Sequence, residues 1–280
     1  MSVNEVHVDT PYRELYEFLT IDCERCCGLC CVALYFSQMD GFPEDKPAGK
    51  ACVNMSSDFR CTVHDRLAQR GLKGCLAYDC FGAGQRVYQD VYQSVNWMKD
   101  HEISDQMFSV FLTVRQLHQM LWYLVEVSSI VYAKSLMVDV RDLVLQNLEM
   151  AKLSPDEIQA LDVEQYRLKV NNVLRTTGEL VRRAEGNTFK NSKKSDYIGE
   201  NMKGRNLHGR DFSMSLMIAA DLEGCDLHGA NFLGADLRDA NLKKSDLRES
   251  IFLTQMQVNS AMGDRDTLLP YFISRPESWS

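Results

Sequence analysis

The chain has 280 residues, 45% hydrophobic and 25% charged, with a net charge of −8. Those totals suit a soluble protein of two or three modules and exclude wholesale disorder. The acidic balance also argues against a nucleic-acid partner, which needs clustered Lys and Arg to displace counterions from phosphates.

Residues 1–10 carry Glu5 and Asp9 and no apolar segment, so no secretory signal is read there and a cytoplasmic location is expected. Residues 11–19 read as a short helix. From 22 to 84 the chain has loop character, broken by Gly41-Phe42-Pro43, Lys46-Pro47-Ala48-Gly49 and the glycines at 71 and 74. Aliphatic residues are few there, so something other than a hydrophobic core must fix the segment. Nine of the ten cysteines lie in it, between Cys23 and Cys80, and only Cys225 lies elsewhere. Such crowding in a chain read as unexported points to metal ligation rather than disulfides.

The cysteine spacing is Cys23-x2-Cys26-Cys27-x2-Cys30-Cys31, then Cys52, Cys61-x2-His64 and Cys75-x4-Cys80. Pairs two residues apart let both thiolates reach one ion from a tight turn. Candidate ligands are Cys23, Cys26, Cys30, Cys31, Cys52, Cys61, Cys75 and Cys80, with Cys27 and His64 as ligands or spares. Nine thiols and one imidazole exceed what one tetrahedral ion uses. Two four-ligand sites, or one cluster plus a zinc, match the count, and the residues do not separate Zn from an Fe–S cluster. The runs Cys26-Cys27-Gly28-Leu29-Cys30-Cys31 and Gly74-Cys75-Leu76-Ala77-Tyr78-Asp79-Cys80 resemble the CxxCxxCC (YkgJ-like) zinc- or iron-chelating family. The resemblance implies metal binding by Cys23, Cys26, Cys30, Cys31, Cys61, Cys75 and Cys80.

Residues 85–190 read as a small helical domain. Val87, Val91 and Val95 recur at helical spacing, and Phe108, Phe111, Val114, Leu117, Leu121, Leu124 and Val127 mark a second, longer helix. Residues 120–133 are the most apolar run, yet they include Glu126 and two serines and fall short of the ~20 residues that span a bilayer. No membrane partner is expected. His118 reads as a satisfied helix histidine, with Glu126 two turns along the same face. Residues 137–148 continue that helix or form a third. Ser154-Pro155-Asp156-Glu157 combines a Ser N-cap, Pro at the first helical position and a capping-box Glu. The helix it opens is expected to run to Arg183, with Gly186 just beyond its end. Residues 187–194 read as a polar linker. Gly82-Ala83-Gly84 reads as a tight turn rather than a phosphate loop, because Val87 stands where a third glycine would.

From Tyr197 every fifth residue is large and apolar, twelve in all to Phe252. Asp or Asn precedes ten of the twelve, the exceptions being Leu216 and Ile251. Small residues such as Ala220, Cys225, Ala230 and Ala235 stand two positions before. A period of five fits neither a helix nor an isolated strand. The pattern resembles the A(D/N)LxX motif of pentapeptide-repeat proteins, which implies a right-handed quadrilateral β-helix of about three coils over 195–254. Cys225 then takes a small inward position. Residues 255–280 read as a capping tail, since a solenoid end needs a lid.

The expected fold is multidomain α+β: a Cys-rich metal-binding module (1–84), a helical domain (85–190), the β-helix (195–254) and the tail (255–280). No HExxH, GxSxG, P-loop or EF-hand motif occurs, nor any evident acid–base pair. The functional reading is a non-catalytic metal-binding interaction scaffold or sensor with a protein partner. A homodimer is a further expectation, because many such solenoids pair end to end. Two alternatives stand beside it. One is an Fe–S or Fe-dependent redox or maturation enzyme. The other is a DNA gyrase or topoisomerase-interacting protein, as some pentapeptide-repeat proteins are. Three coils at about 4.8 Å each give a rod only ~14 Å tall, and its charges nearly balance, which speaks against DNA mimicry.

Overall fold

The structure is a computed structural model that describes residues 5–99, 101–186 and 195–279. The linker expected at 187–194 lies outside the described residues. By contacts the chain divides into two compact units. One joins residues 1–11, 126–138 and 172–280, and the other joins 12–125 and 139–171.

The second unit is helical. After the short helix Arg13–Phe18, the Cys-rich segment folds into single turns and two five-residue helices, Leu29–Ala33 and Lys73–Ala77. Ala83–Arg86 continues into a wider π turn at Val87–Val91. It ends before Val95, because Gln93 and Ser94 take left-handed φ of 48° and 64°. The long helix is His101–Ser129, and Met137–Met150 is a separate helix after the turn Val131–Leu136. His118 is fully buried, and its Nδ1–H donates to the Phe81 carbonyl at 2.6 Å. Burial pushes its pKa down to about 4, so the imidazole is neutral at pH 7.

The capping box at Ser154 forms, with its N–H and Oγ–H both donating to Glu157 Oε2 at 2.9 and 2.6 Å. The helix it opens nevertheless stops at Gln159, and a new one runs Val163–Ala184. The side chain of Asp162 explains the break, because it accepts the Gln165 N–H at 3.0 Å and starts a fresh helix end in mid-pattern. Gly186 closes that second helix in the left-handed region at φ 65°, its N–H donating to the Arg183 carbonyl.

In the first unit, parallel bridges join residues twenty positions apart, such as Asn201 to Asp221, Asp221 to Asn241 and Asp226 to Asp246. A twenty-residue period holds four pentapeptides. The bridges are isolated ones, so continuous strands do not form among the described residues, in contrast to the expected β-helix strands. The reason lies in each repeat. The Asp or Asn carboxylate or amide oxygen accepts the N–H two residues later, as Asp221 does from Glu223 at 3.1 Å, making a side-chain turn. One residue beyond, the chain enters the left-handed region, as at Gly224 with φ 67°. Only one bridge residue fits between successive corners.

Inside, the large residues stack with their counterparts a coil away: Phe212 and Phe232 lie parallel, with ring centroids 5.6 Å apart. Cys225 is buried and donates its S–H to the Met202 carbonyl at 3.0 Å, the bond that Ser245 Oγ–H makes to Leu222 a coil later. The tail continues this order. Met262 and Leu268 bridge back to Asn241 and Asp246, after a helix Gln255–Ser260 capped by Thr254. Trp279 is buried and its indole N–H reaches the Ala261 carbonyl at 3.1 Å.

Where the repeat ends, Phe252 has φ 61° and its N–H has no following coil to reach. Glu126 Oε1 accepts it instead, at 2.6 Å. That carboxyl is fully buried, its Oε2 has no hydrogen-bond partner among the described residues, and burial raises its pKa to about 8. The folded chain therefore keeps a proton that the unfolded chain releases above pH ~4.5. Stability falls as pH rises from ~4.5 to ~8. Glu126→Gln, which keeps the accepting oxygen, is expected to flatten that slope and to raise stability at pH 8 by roughly 2–4 kcal/mol. Urea denaturation across pH measures it, and an unchanged slope would count against this account.

Candidate metal centre

The Cys-rich segment is shaped by local chemistry before any ligand is considered. The Asp22 carboxylate accepts the Glu24 and Arg25 N–H groups at 3.0 and 3.3 Å and fixes the turn bearing Cys23. Arg60 ties that turn to the following loop through the Cys23 and Glu24 carbonyls. Gly28, at φ 70°, opens the helix Leu29–Ala33 that carries Cys30 and Cys31. Their sulfurs are 3.9 Å apart.

The thiols fall into two neighbourhoods. Cys26, Cys30 and Cys80 pack into an apolar core with Leu29, Ala33, Val87, Met107 and Phe111. Gly84 borders this group so closely that a Cβ there would lie 2.8 Å from Cys26 Sγ and 3.9 Å from Cys80 Sγ. Burial, with neighbouring thiols adding to it, pushes Cys23, Cys26 and Cys80 up to about 11. Cys23 acts on Cys80 and Cys26 on Cys23, which attaches Cys23 to the same group.

Cys52, Cys61 and Cys75 pack on a separate small cluster of Phe36, Phe42, Val63, Leu67 and Leu72. Cys31 lies between the two groups, acting on Cys23 and Cys26 as well as on Cys61 and Cys75. Its carbonyl accepts the Cys52 N–H at 3.0 Å. Burial pushes Cys75 up to about 12, with Cys31, Cys52 and Cys61 each adding to the shift. Within the adjacent pair, Cys30 is raised and Cys31 lowered by the hydrogen bond their sulfurs share.

Cys27 is fully buried in the first cluster beside Cys26, and its carbonyl accepts the Trp97 indole N–H at 2.9 Å. His64 is exposed at the head of the turn His64–Arg66. Among the described residues no three His, Cys, Asp or Glu side chains converge, as they stand, on one metal-binding point. The thiols suit Zn or an Fe–S cluster in donor chemistry.

A residue that cysteine spacing did not disclose is Lys46. Its side chain is buried beside the second group, with Nζ donating to the carbonyls of Lys50, Pro47 and Val32. The sequence offered one signal, a lysine inside a Pro/Gly loop, and that is too common to single out.

Comparisons with known proteins agree with the repeat. Residues 215–252 match the family model Pentapeptide repeats in eight copies. A pentapeptide repeat protein of the cyanobacterium Cyanothece, Rfr23, matches at 27% identity over 25% of this chain and 46% of that one, with a TM-score of 0.20. One from the thylakoid lumen of Arabidopsis thaliana matches at 28% identity over 25% and 50%, with a TM-score of 0.13. Residues 215–252 are thus a run of pentapeptide repeats. More particularly, the chain is 43% identical over 274 residues to the uncharacterized protein YybG of Bacillus subtilis, covering 96% of this chain and 98% of that one. It belongs to the YybG family. A UPF0153 protein of Vibrio cholerae is 40% identical over 47 residues, 16% of this chain and 57% of that protein. No described helix is long and apolar enough to cross a membrane.

The turn from Cys80 into the helix Ala83–Arg86 depends on Gly82, which has φ 72° and would place a Cβ 2.6 Å from the Phe18 carbonyl oxygen. Gly82→Ala is expected to cost about 2 kcal/mol, from the left-handed backbone and the backbone clash together. Urea denaturation reads it, and a loss under about 0.5 kcal/mol would show that the turn relaxes freely.

Proposed function

We propose that the protein is a non-catalytic, metal-binding pentapeptide-repeat protein with two four-thiol centres. One would use Cys23, Cys26, Cys30 and Cys80, the other Cys31, Cys52, Cys61 and Cys75. The observation that carries this reading is the packing of Cys26, Cys30 and Cys80 on one apolar cluster and of Cys52, Cys61 and Cys75 on another. The resemblance to the zinc- or iron-chelating family and the partial, weak similarity to a Cys-rich UPF0153 protein point the same way. Bound metal supplies folding free energy to a segment with little core of its own. The protein's residues do the rest: Asp22 and Gly28 set the turns, and Gly84 leaves room for the sulfurs of Cys26 and Cys80.

The repeat serves in this reading as a rigid face for a protein partner, in the form of a right-handed quadrilateral β-helix. Its twenty-residue bridge spacing supports that form. Ile198, Met214 and Leu216, exposed at 54%, 73% and 45%, give the face apolar contact points of the kind partners use.

Full-length protein purified without oxygen is expected to carry metal at both centres, with zinc alone giving a colourless protein and iron with sulfide a coloured one. Cys26→Ser with Cys80→Ser should remove the metal of one centre only. Cys61→Ser with Cys75→Ser should remove the other. Cys27→Ser and His64→Ala should remove neither. Elemental and sulfide analysis decides, and a metal-free wild type would sink the reading.

A further inference from the structure

The helical unit holds a cleft of about 450 Å³, inside the range of roughly 300–1,000 Å³ that small-molecule sites occupy. No cysteine lines it. Tyr35, Phe36 and Tyr78 give it aromatic walls, and Leu112, on the long helix His101–Ser129, gives an aliphatic one. Gly74 lets Asp40 approach closely, since a Cβ at Gly74 would lie 2.8 Å from that of Asp40.

The two charged residues of the cleft, Arg115 and Asp40, are of opposite sign and form no ion pair with each other. Two contacts position Arg115. Its Nε–H donates to the Asp79 carbonyl at 3.3 Å, and its guanidinium lies over the Tyr78 ring, 5.3 Å from the centroid. Neither contact occupies the two Nη groups, which meet no acceptor among the described residues. The Asp79 carboxyl feels the guanidinium, but its Oδ1 accepts the Phe81 N–H at 2.6 Å and it makes no ion pair with Arg115. On Asp40, Oδ2 accepts both the N–H and the Oγ–H of Ser37, at 3.2 and 2.9 Å. Those two bonds hold the carboxylate in place and leave Oδ1 without a donor among the described residues.

A planar guanidinium with unspent Nη–H groups matches a carboxylate fork to fork. A carboxylate oxygen with unspent lone pairs matches an ammonium, which is donor only. A ligand with a negative charge alone leaves Asp40 unpaired and repelled, and one with a positive charge alone does the same to Arg115. Only a zwitterion satisfies both, and the three aromatic walls suit a ring as its apolar part.

We propose that this cleft binds an α-amino acid with an aromatic side chain. Arg115 takes the carboxylate, Asp40 the ammonium, and Tyr35, Phe36, Tyr78 and Leu112 the ring. The inference is independent of the metal reading, because none of its residues is a thiol.

Isothermal titration calorimetry of the full-length protein with L-phenylalanine, L-tyrosine and L-tryptophan tests it. At least one is expected to bind with a Kd of about 1 mM or tighter. Phenylacetate and phenethylamine, which each carry one of the two charges, should bind L-phenylalanine's site roughly tenfold more weakly than L-phenylalanine itself. Arg115→Met, and Asp40→Asn, which keeps an oxygen for the Ser37 N–H, should each weaken the amino acid by a similar factor. Should either variant fail to fold, Leu112→Trp still decides, because residue 112 is 39% exposed at the cleft and the larger ring fills the space. Loss of binding in Leu112→Trp supports the proposal, and unchanged binding overturns it. Absence of saturable binding by all three amino acids, or single-charge analogues that bind as tightly as L-phenylalanine, would also overturn it.

Discussion

Thiols stand in the Cys-rich segment where an ordinary domain has aliphatic side chains. Its thiols pack on two apolar clusters, one shared with the helix His101–Ser129 and one smaller and local. Buried thiols with raised pKa values behave as small hydrophobes. The same burial makes them good metal ligands once an ion displaces their protons. Much else in the segment follows from that dual character: the left-handed glycine at 28 and the bare Gly84 against two sulfurs.

The repeat region solves the opposite problem with opposite means. There the large residues stack coil upon coil, small ones such as Cys225 and Ser245 donate to buried carbonyls, and the corners carry the side-chain turns. Each Asp or Asn closes a turn with its own side chain, and each following backbone N–H reaches the adjacent coil, as Leu222 does to Asn241 at 2.9 Å. The period needs no long strand because every fifth residue turns. The ends need substitutes. Gln257 Nε2–H donates to the carbonyls of Phe232 and Ala235, and Thr267 Oγ–H to that of Leu242. Glu126 supplies its carboxyl to Phe252 at the energetic cost of burying it.

The repeat was legible because its period belongs to no other regular structure, so Tyr197 to Phe252 announced both the stacking and the inward place of Cys225. The single-bridge ladder was not, since it depends on where the side-chain turns fall. The tail's bridges through Met262 and Leu268 were hidden too, because their spacing departs from twenty. In the helical part Ser154 was read correctly as a cap, but Asp162 was passed over inside an apparent helix and broke it. For the candidate centres, the sequence supplied the ligand types and their count. The division into two groups comes from long-range packing of Cys80 with Cys26 and of Cys75 with Cys52. No spacing rule encodes that, nor the place of Lys46.

In the proposed reading any bound metal is held by sulfur alone. X-ray absorption at the metal edge of the full-length protein, purified without oxygen, should then show a first shell of sulfur only, at about 2.3 Å for zinc. A shell containing nitrogen or oxygen, as His64 or a carboxylate would give, would contradict it.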